Sequence, residues 1–303
     1  MSLTVRAAAK INLLLGVGAP RPDGFHTLVT VYQAVSLYDD LTVSPGDDGL
    51  DIATDVASYI DASHVPGPGL NIVDRAAAAL AAHHGRPVTG SIRVDKTIPI
   101  AGGLAGGSAD GAAALLALDR LHVLGTHDDD LLALAAGLGS DVPFALVGGT
   151  ALGEGHGEVV TALDDRGSWW WVVVPHPEGM STPAVYRRFD ELRPDAPEVP
   201  GPPEDVVAAL TSGDVPRLAA ALHNDLEQAA CDLRPDLAQL IVEGVDAGAL
   251  RGLVSGSGPT CVFLCESGEH ARRVAGVLRG ASPERVVLVA HGPVAGAHVV
   301  ADG

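Results

Sequence analysis

Apolar residues alternate along the first segment of the chain. Leu3, Val5, Ala7, Ala9, Ile11, Leu13 and Leu15 fall on one face of an extended backbone, so the pattern predicts a strand over 3–15. Lys10 and Asn12 share the opposite face, two residues apart and aimed the same way. A Pro22-Asp-Gly24 turn leads to a second β-rich run over 27–36. The alanine-rich stretch 72–83 predicts a helix capped by Asn71. A strand over 91–98 then feeds a glycine-studded turn, and a helical run follows over 111–121. Further helices are expected over 129–138 and from about residue 141, with a hairpin at 148–157 and a buried strand at 169–174. Five prolines between Pro194 and Pro203, mixed with acidic residues, predict an exposed loop. Helices over 205–210, 215–222 and 237–244 precede a second glycine turn, Ser255–Pro259, and a strand over 260–265. Helices and strands mix without a regular βαβ period or an internal repeat, which predicts an α+β fold.

Length and charge narrow this picture. The 303 residues suit two units, expected at 1–164 and 165–303, the second opening at the Trp169–Val174 strand. A net charge of −19 argues against nucleic-acid binding, and no apolar run approaches the ~18 residues of a membrane span. Lys10 and Asn12 interrupt the N-terminal apolar run, which argues against a signal peptide. Three cysteines are not a disulfide framework, so a cytoplasmic home is expected. The chain has 17 arginines but only two lysines, Lys10 and Lys96, so lysine stands where a compact, movable ammonium is wanted. Lys96 shares the apolar parity of Ile92, Val94 and Ile98, which a lysine does only when paired or lining a cleft. Standing three residues before the glycine turn, it is expected to touch a nucleotide.

That turn, Pro99-Ile-Ala-Gly-Gly-Leu-Ala-Gly-Gly-Ser-Ala-Asp110, lies between a strand and a helix. Glycines admit phosphate oxygens close to the backbone, and a helix N-terminus adds free N–H groups and positive dipole. Ser108, at the predicted N-cap, has a hydroxyl for phosphate or metal. A flexible linker is the plainer reading, but the flanking strand and helix favour phosphate. No lysine follows any glycine and the turn has no G-x-G-x-x-G frame, so neither the P-loop nor the dinucleotide fingerprint applies. Asp141, two residues before Pro143, reads from the residues alone as a helix N-cap. The tryptophans at 169–171 read as core, and no H-E-x-x-H spacing marks a protein-built metal site.

The pattern P-x-x-x-G-L-x-G-G-S-A over 99–109 resembles the phosphate loop of the GHMP kinases. Ala9–Leu13, Arg21–His26, Gly139–Phe144, Asn224–Glu227 and Ser255–Thr260 resemble, in order, motifs of the branch acting on cytidine-diphosphate-linked methylerythritol, so the resemblance runs from residue 10 to about 265. It implies a two-domain fold with the active site in the cleft between domains, ATP and Mg²⁺ as cofactors, and phosphoryl transfer to an alcohol. By the same resemblance Lys10 and Asp141 are catalytic. Lys96, Pro99, Gly102, Gly103, Leu104, Gly106, Gly107 and Ser108 would hold the ATP phosphates, with Leu70 and Asn71 beside adenine. Asn12, Phe25, His26, Thr182, Tyr186 and Gly256 would hold the substrate, Phe25 and Tyr186 sandwiching cytosine. The sequence departs from the pattern at Ala101 and Ala105, where glycine is usual, and at Ala109-Asp110. The two alanines are tolerable only where φ is negative, and Asp110 only if it points away from phosphate or helps hold Mg²⁺. The rival readings are a GHMP kinase acting on homoserine, mevalonate or a sugar, and a nucleotide sensor without turnover.

Overall fold

The computed structural model describes residues 2–46, 49–67, 69–100 and 102–300, and Ala101 lies outside them. Two long strands, β1 (Leu3–Pro20) and β2 (His26–Ser44), pair antiparallel and form the spine of the first sheet. β1 outruns the predicted strand because irregularities after Ala8 and after Asn12 bend it while pairing continues. Val5, Ala7, Ala9, Ile11, Leu13 and Leu15 are buried as the alternation predicts, and Lys10 and Asn12 are buried on the other face. β3 (Leu50–Val56), absent from the sequence reading, lies parallel to β4 (Gly90–Lys96). Parallel neighbours need a crossover, which α1 (Ile72–His84) supplies. Its cap is Asn71, whose side chain accepts the Val73 N–H, and it ends at Gly85 in the left-handed region.

α2 (Gly106–Leu121) packs against β1, β2 and α1 at the centre of the N-terminal core. α3 (Asp128–Leu138) and α4 (Val142–Val147) follow. The hairpin of β5 (Thr150–Glu154) and β6 (Val159–Ala162) then hangs from β2. β7 (Trp169–Val174) opens the second sheet, with Trp169 and Trp171 fully buried and their indole N–H groups on Asp165 and Gln33. The remaining elements are α5 (Thr182–Leu192), α6 (Glu204–Ser212), α7 (Val215–Ala221), β8 (His223–Asn224), α8 (Glu227–Leu233) and α9 (Pro235–Asp246). They are followed by β9 (Arg251–Val254), β10 (Cys261–Cys265), α10 (Gly268–Ala281), β11 (Leu288–Gly292) and β12 (His298–Val300).

Among the described residues the second sheet has four antiparallel strands in the order β11-β7-β10-β9. The expected division after residue 164 separates the two sheets except for β8 and β12, which return to pair with β1. The proline-rich loop is less free than predicted. Pro200 is buried, and the Pro197 carbonyl accepts the Ala19 N–H at 2.7 Å, so the segment is docked on the end of β1.

α2 begins five residues earlier than the apolar pattern predicts, inside the glycine turn itself. Ala105 is its cap residue and has φ +56°, the left-handed conformation that the sequence reading reserved for glycine. A Cβ in that region costs about 1–2 kcal/mol. Replacing it by glycine returns about 0.4–1 kcal/mol of that through unfolded-chain entropy. Ala105→Gly is therefore expected to stabilise the protein by roughly 0.5 kcal/mol, read as a raised urea midpoint. An unchanged or lowered midpoint would mean that Ala105 carries no strain.

Candidate active site

Lys10 projects from β1 into a cleft of about 540 Å³ between the glycine turn, the start of α4, the start of α5 and the second glycine turn. Its backbone N–H bonds the Leu104 carbonyl at 3.0 Å, fastening β1 to the glycine turn. The ammonium donates to Asn12 Oδ1 at 2.8 Å and lies 3.6 Å from the Asp141 carboxylate. Asn12 is oriented in turn by Thr30, whose hydroxyl accepts from Nδ2 at 2.8 Å and donates to the Leu14 carbonyl. Asp141 occupies the cap position of α4, as its spacing from Pro143 predicts, but its side chain makes no cap hydrogen bond. The carboxylate is thus left to the cleft. Tyr32 and Tyr186 line the same space; burial, then the charge of Asp141, pushes both hydroxyls up, so they remain protonated donors.

The glycine turn owes its shape to the second one. Gly103 has φ +79°, and a Cβ there would lie 2.2 Å from the Ser255 carbonyl oxygen. Ser255 also donates its hydroxyl to the Gly103 carbonyl at 3.1 Å, and the Thr260 N–H donates to Gly102 at 3.3 Å. Gly107, by contrast, is exposed with open space where a side chain would go, and it faces the cleft beside Pro99, Gly102, Gly103, Gly106 and Ser108. Ser108 lies inside the first turn of α2 rather than at its cap, because the helix starts at Gly106. Leu104 is fully buried, so its contribution to the turn is its backbone. Gly256 closes the opposite wall, its carbonyl held by Asn224 Nδ2 at 2.8 Å.

Lys96 stands otherwise than expected, and Leu70 and Asn71 lie beside the main cleft rather than in it. Lys96 does not line the cleft: its ammonium is buried, with Asp39 and Asp110 each 2.6 Å away. Burial draws this ammonium down, but Asp110 and then Asp39 outweigh it and hold it charged. Asp110 accordingly points away from the phosphate turn. Its own carboxyl is pushed up to about 8 by burial, against the pull of Lys96 and with the push of Asp39. Leu70 is 79% exposed, and the Asn71 side chain is engaged in capping α1; neither reaches the main cleft, where Ile72 stands instead. Asn71 borders a neighbouring cavity of about 360 Å³ with Ile52, Thr54 and Val65.

On its other side the cleft adjoins a cavity of about 450 Å³ lined by Phe25, His26, Tyr186, Arg187 and Asp190. Phe25 is 59% exposed and stacks on His156, with ring centroids 4.9 Å apart. The His26 ring lies 4.9 Å from Tyr186, and its Nε2 pairs with Asp190 at 2.8 Å. Thr182 borders both spaces and shares a 2.8 Å hydrogen bond with Ser257. Tyr32, Ser140, His156 and Asp190 are site residues that the sequence reading missed. Only His156 carried a local signal, a histidine among the glycines of Gly153–Glu158.

Comparison with known proteins bears on this site. The family model "GHMP kinases N terminal domain" matches residues 71–149, and "GHMP kinases C terminal" matches 206–283. A 4-diphosphocytidyl-2-C-methyl-D-erythritol kinase of Nocardioides sp. is 64% identical over 296 residues, covering 98% of this chain and 99% of its own. One of Thermobifida fusca is 50% identical over 303 residues, covering 99% and 98%. A crystal structure of 4-(cytidine 5'-diphospho)-2C-methyl-D-erythritol kinase aligns with TM-score 0.78 at 34% identity, over 96% of this chain and 98% of that one. Homoserine kinase from Cytophaga hutchinsonii aligns with TM-score 0.75 at 21% identity, over 99% and 97%, a likeness of fold alone.

The buried Lys96 cluster has a pH signature. The folded protein keeps the Asp110 proton up to about 8, whereas an unfolded chain releases it near the ordinary carboxylate value of about 4. Between these values the unfolded state binds fewer protons. The contribution of this group to stability is complete below about pH 4, falls as pH rises, and is gone above about 8. Asp110→Asn removes the titration, so urea unfolding should find the variant gaining on the parent protein between about pH 4 and about pH 8. A difference independent of pH would show Asp110 ionised throughout.

Proposed function

The chain belongs to the GHMP kinases, and we propose that it transfers the γ-phosphoryl group of ATP to the 2-hydroxyl of 4-diphosphocytidyl-2-C-methyl-D-erythritol. It is a phosphotransferase with an alcohol acceptor, in the non-mevalonate route to isoprenoid precursors. The observation that carries the reading is the Lys10–Asp141 pair, 3.6 Å apart, which faces the glycine turn on one side and adjoins the aromatic cavity on the other.

Phosphoryl transfer needs positioning and charge neutralisation more than covalent chemistry. Cytosine enters the cavity of Phe25, His26 and Tyr186, where Asp190 fixes the imidazole of His26. This brings the acceptor hydroxyl to Asp141, which orients it and takes its proton as the new bond forms. Lys10, anchored on Asn12, stabilises the charge on the group in transit. The N–H groups of the glycine turn and the N-terminus of α2 hold the ATP phosphates. The Ser108 hydroxyl and the Asp141 carboxylate border the same cleft and would hold a Mg²⁺ ion, which would shield phosphate charge.

No helix among the described residues is long and apolar enough to cross a membrane. Cys231, Cys261 and Cys265 are free thiols, in keeping with a cytoplasmic location.

ATP consumption by the purified protein with Mg²⁺ should require the cytidyl substrate and be absent with homoserine, mevalonate or galactose. Asp141→Asn should lower kcat by about 10²-fold or more with little change in ATP binding. Chelation of divalent ions should abolish turnover in the parent protein. Turnover with another alcohol would overturn the substrate assignment, and nucleotide binding without turnover would favour a sensor.

A further inference from the structure

His156 stands in the wall shared by the main cleft and the aromatic cavity, together with Leu28, Ser140, Thr182 and Tyr186. It has no hydrogen-bond partner at either ring nitrogen among the described residues, and Nε2 is sealed from solvent without one. The ring is held by packing instead, stacked on Phe25. Its backbone is pinned on both sides. The His156 N–H donates to Glu158 at 2.6 Å, and Gly157, at φ +102°, lies so close to Tyr32 that a Cβ would come within 2.3 Å of the phenol oxygen. A rigidly placed imidazole with no partner of its own, in the wall of a ligand cavity, calls for a ligand.

The chemistry of the substrate says which part of it. If the base sits by Phe25 and Tyr186 and the acceptor hydroxyl by Asp141, the diphosphate between them must pass the shared wall. Of the five residues there, His156 alone offers a nitrogen donor able to carry charge. A neutral imidazole has one N–H and one bare nitrogen, and an unpaired buried N–H is the rarer orphan. The bare nitrogen is therefore Nε2, which puts the proton on Nδ1. We propose that His156 is a substrate-binding residue whose Nδ1–H donates to the diphosphate of the cytidyl substrate. This rests on the substrate assignment made above.

Calorimetric titration with CDP and with cytidine separates the possibilities, since the two ligands share the base and sugar but only one has the diphosphate. His156→Leu retains a side chain to pack on Phe25 without an N–H, and His156→Asn places an amide N–H near the former Nδ1. The leucine variant is expected to bind CDP about tenfold or more weakly while binding cytidine within about twofold of the parent protein. The asparagine variant should recover much of the CDP affinity. Equal losses for both ligands would make His156 only a support for Phe25, and no loss for either would make it a bystander; each overturns the proposal. A parent protein that binds neither ligand would instead defeat the substrate assignment, and the proposal with it.

Discussion

The site depends on one incompletely compensated buried cation. Lys10 is 7% exposed, and an ammonium taken out of water must find partners or lose its proton. An ion pair at 4 Å is worth about 4 kcal/mol at an effective dielectric near 20, before desolvation is counted. Lys96 has the carboxyl groups of both Asp39 and Asp110 in direct contact, each at 2.6 Å. Lys10 has a neutral amide and one carboxylate at 3.6 Å, so an arriving phosphate finds a charge still able to gain from it. Its backbone meanwhile ties β1 to the glycine turn through the 3.0 Å bond to the Leu104 carbonyl.

The cradle is braced from the far end of the chain. Asn224 donates to the carbonyls of Val254 and Gly256 while accepting the Leu226 N–H, and Glu227 accepts the Val254 N–H at 3.0 Å. These residues hold the second glycine turn, which presses on Gly102 and Gly103. Two segments only 30 residues apart, at Asn224 and Val254, therefore support a turn that lies 152 residues before Ser255. Asn224, in a motif that the family resemblance singled out, is buried with both of its side-chain groups engaged.

Local pattern carried much of the fold and less of the site. α1 and its Asn71 cap, the β5–β6 hairpin and the buried tryptophan strand were legible because each is determined by periodicity or by a neighbouring residue. α5 and α10 went unread although their buried residues, Val185 and Phe189 in one and Ala271, Val274, Ala275 and Leu278 in the other, fall at helical spacing. The two lysines show where the limit lies. Both occupy buried strand positions; the apolar parity of Lys96 left pairing and cleft lining open, and the partners that decide between them, Asp39 and Asp110, come from β2 and α2. Asp141 makes the same point in reverse. Its spacing predicts a cap, and it does stand at the cap position, but the side chain makes no cap hydrogen bond and faces Lys10 instead.

A protein of net charge −19 that binds polyphosphate must decide where the compensating charge resides. A permanent basic patch is one answer, but the main cleft here is bordered by a single lysine and no arginine. The N-terminus of α2 adds the equivalent of roughly half a charge, and the glycine turn adds oriented N–H dipoles. Neither balances a triphosphate. Among the described residues no three His, Cys, Asp or Glu side chains gather to hold a metal ion by themselves. Under the function proposed above, a divalent ion arriving with the nucleotide would supply the remaining charge. Such a site is attractive only to a ligand that brings its own counter-charge. An acidic surface and a phosphate-binding cleft are compatible on those terms, because the protein supplies geometry and one buried cation, and the nucleotide complex supplies the rest.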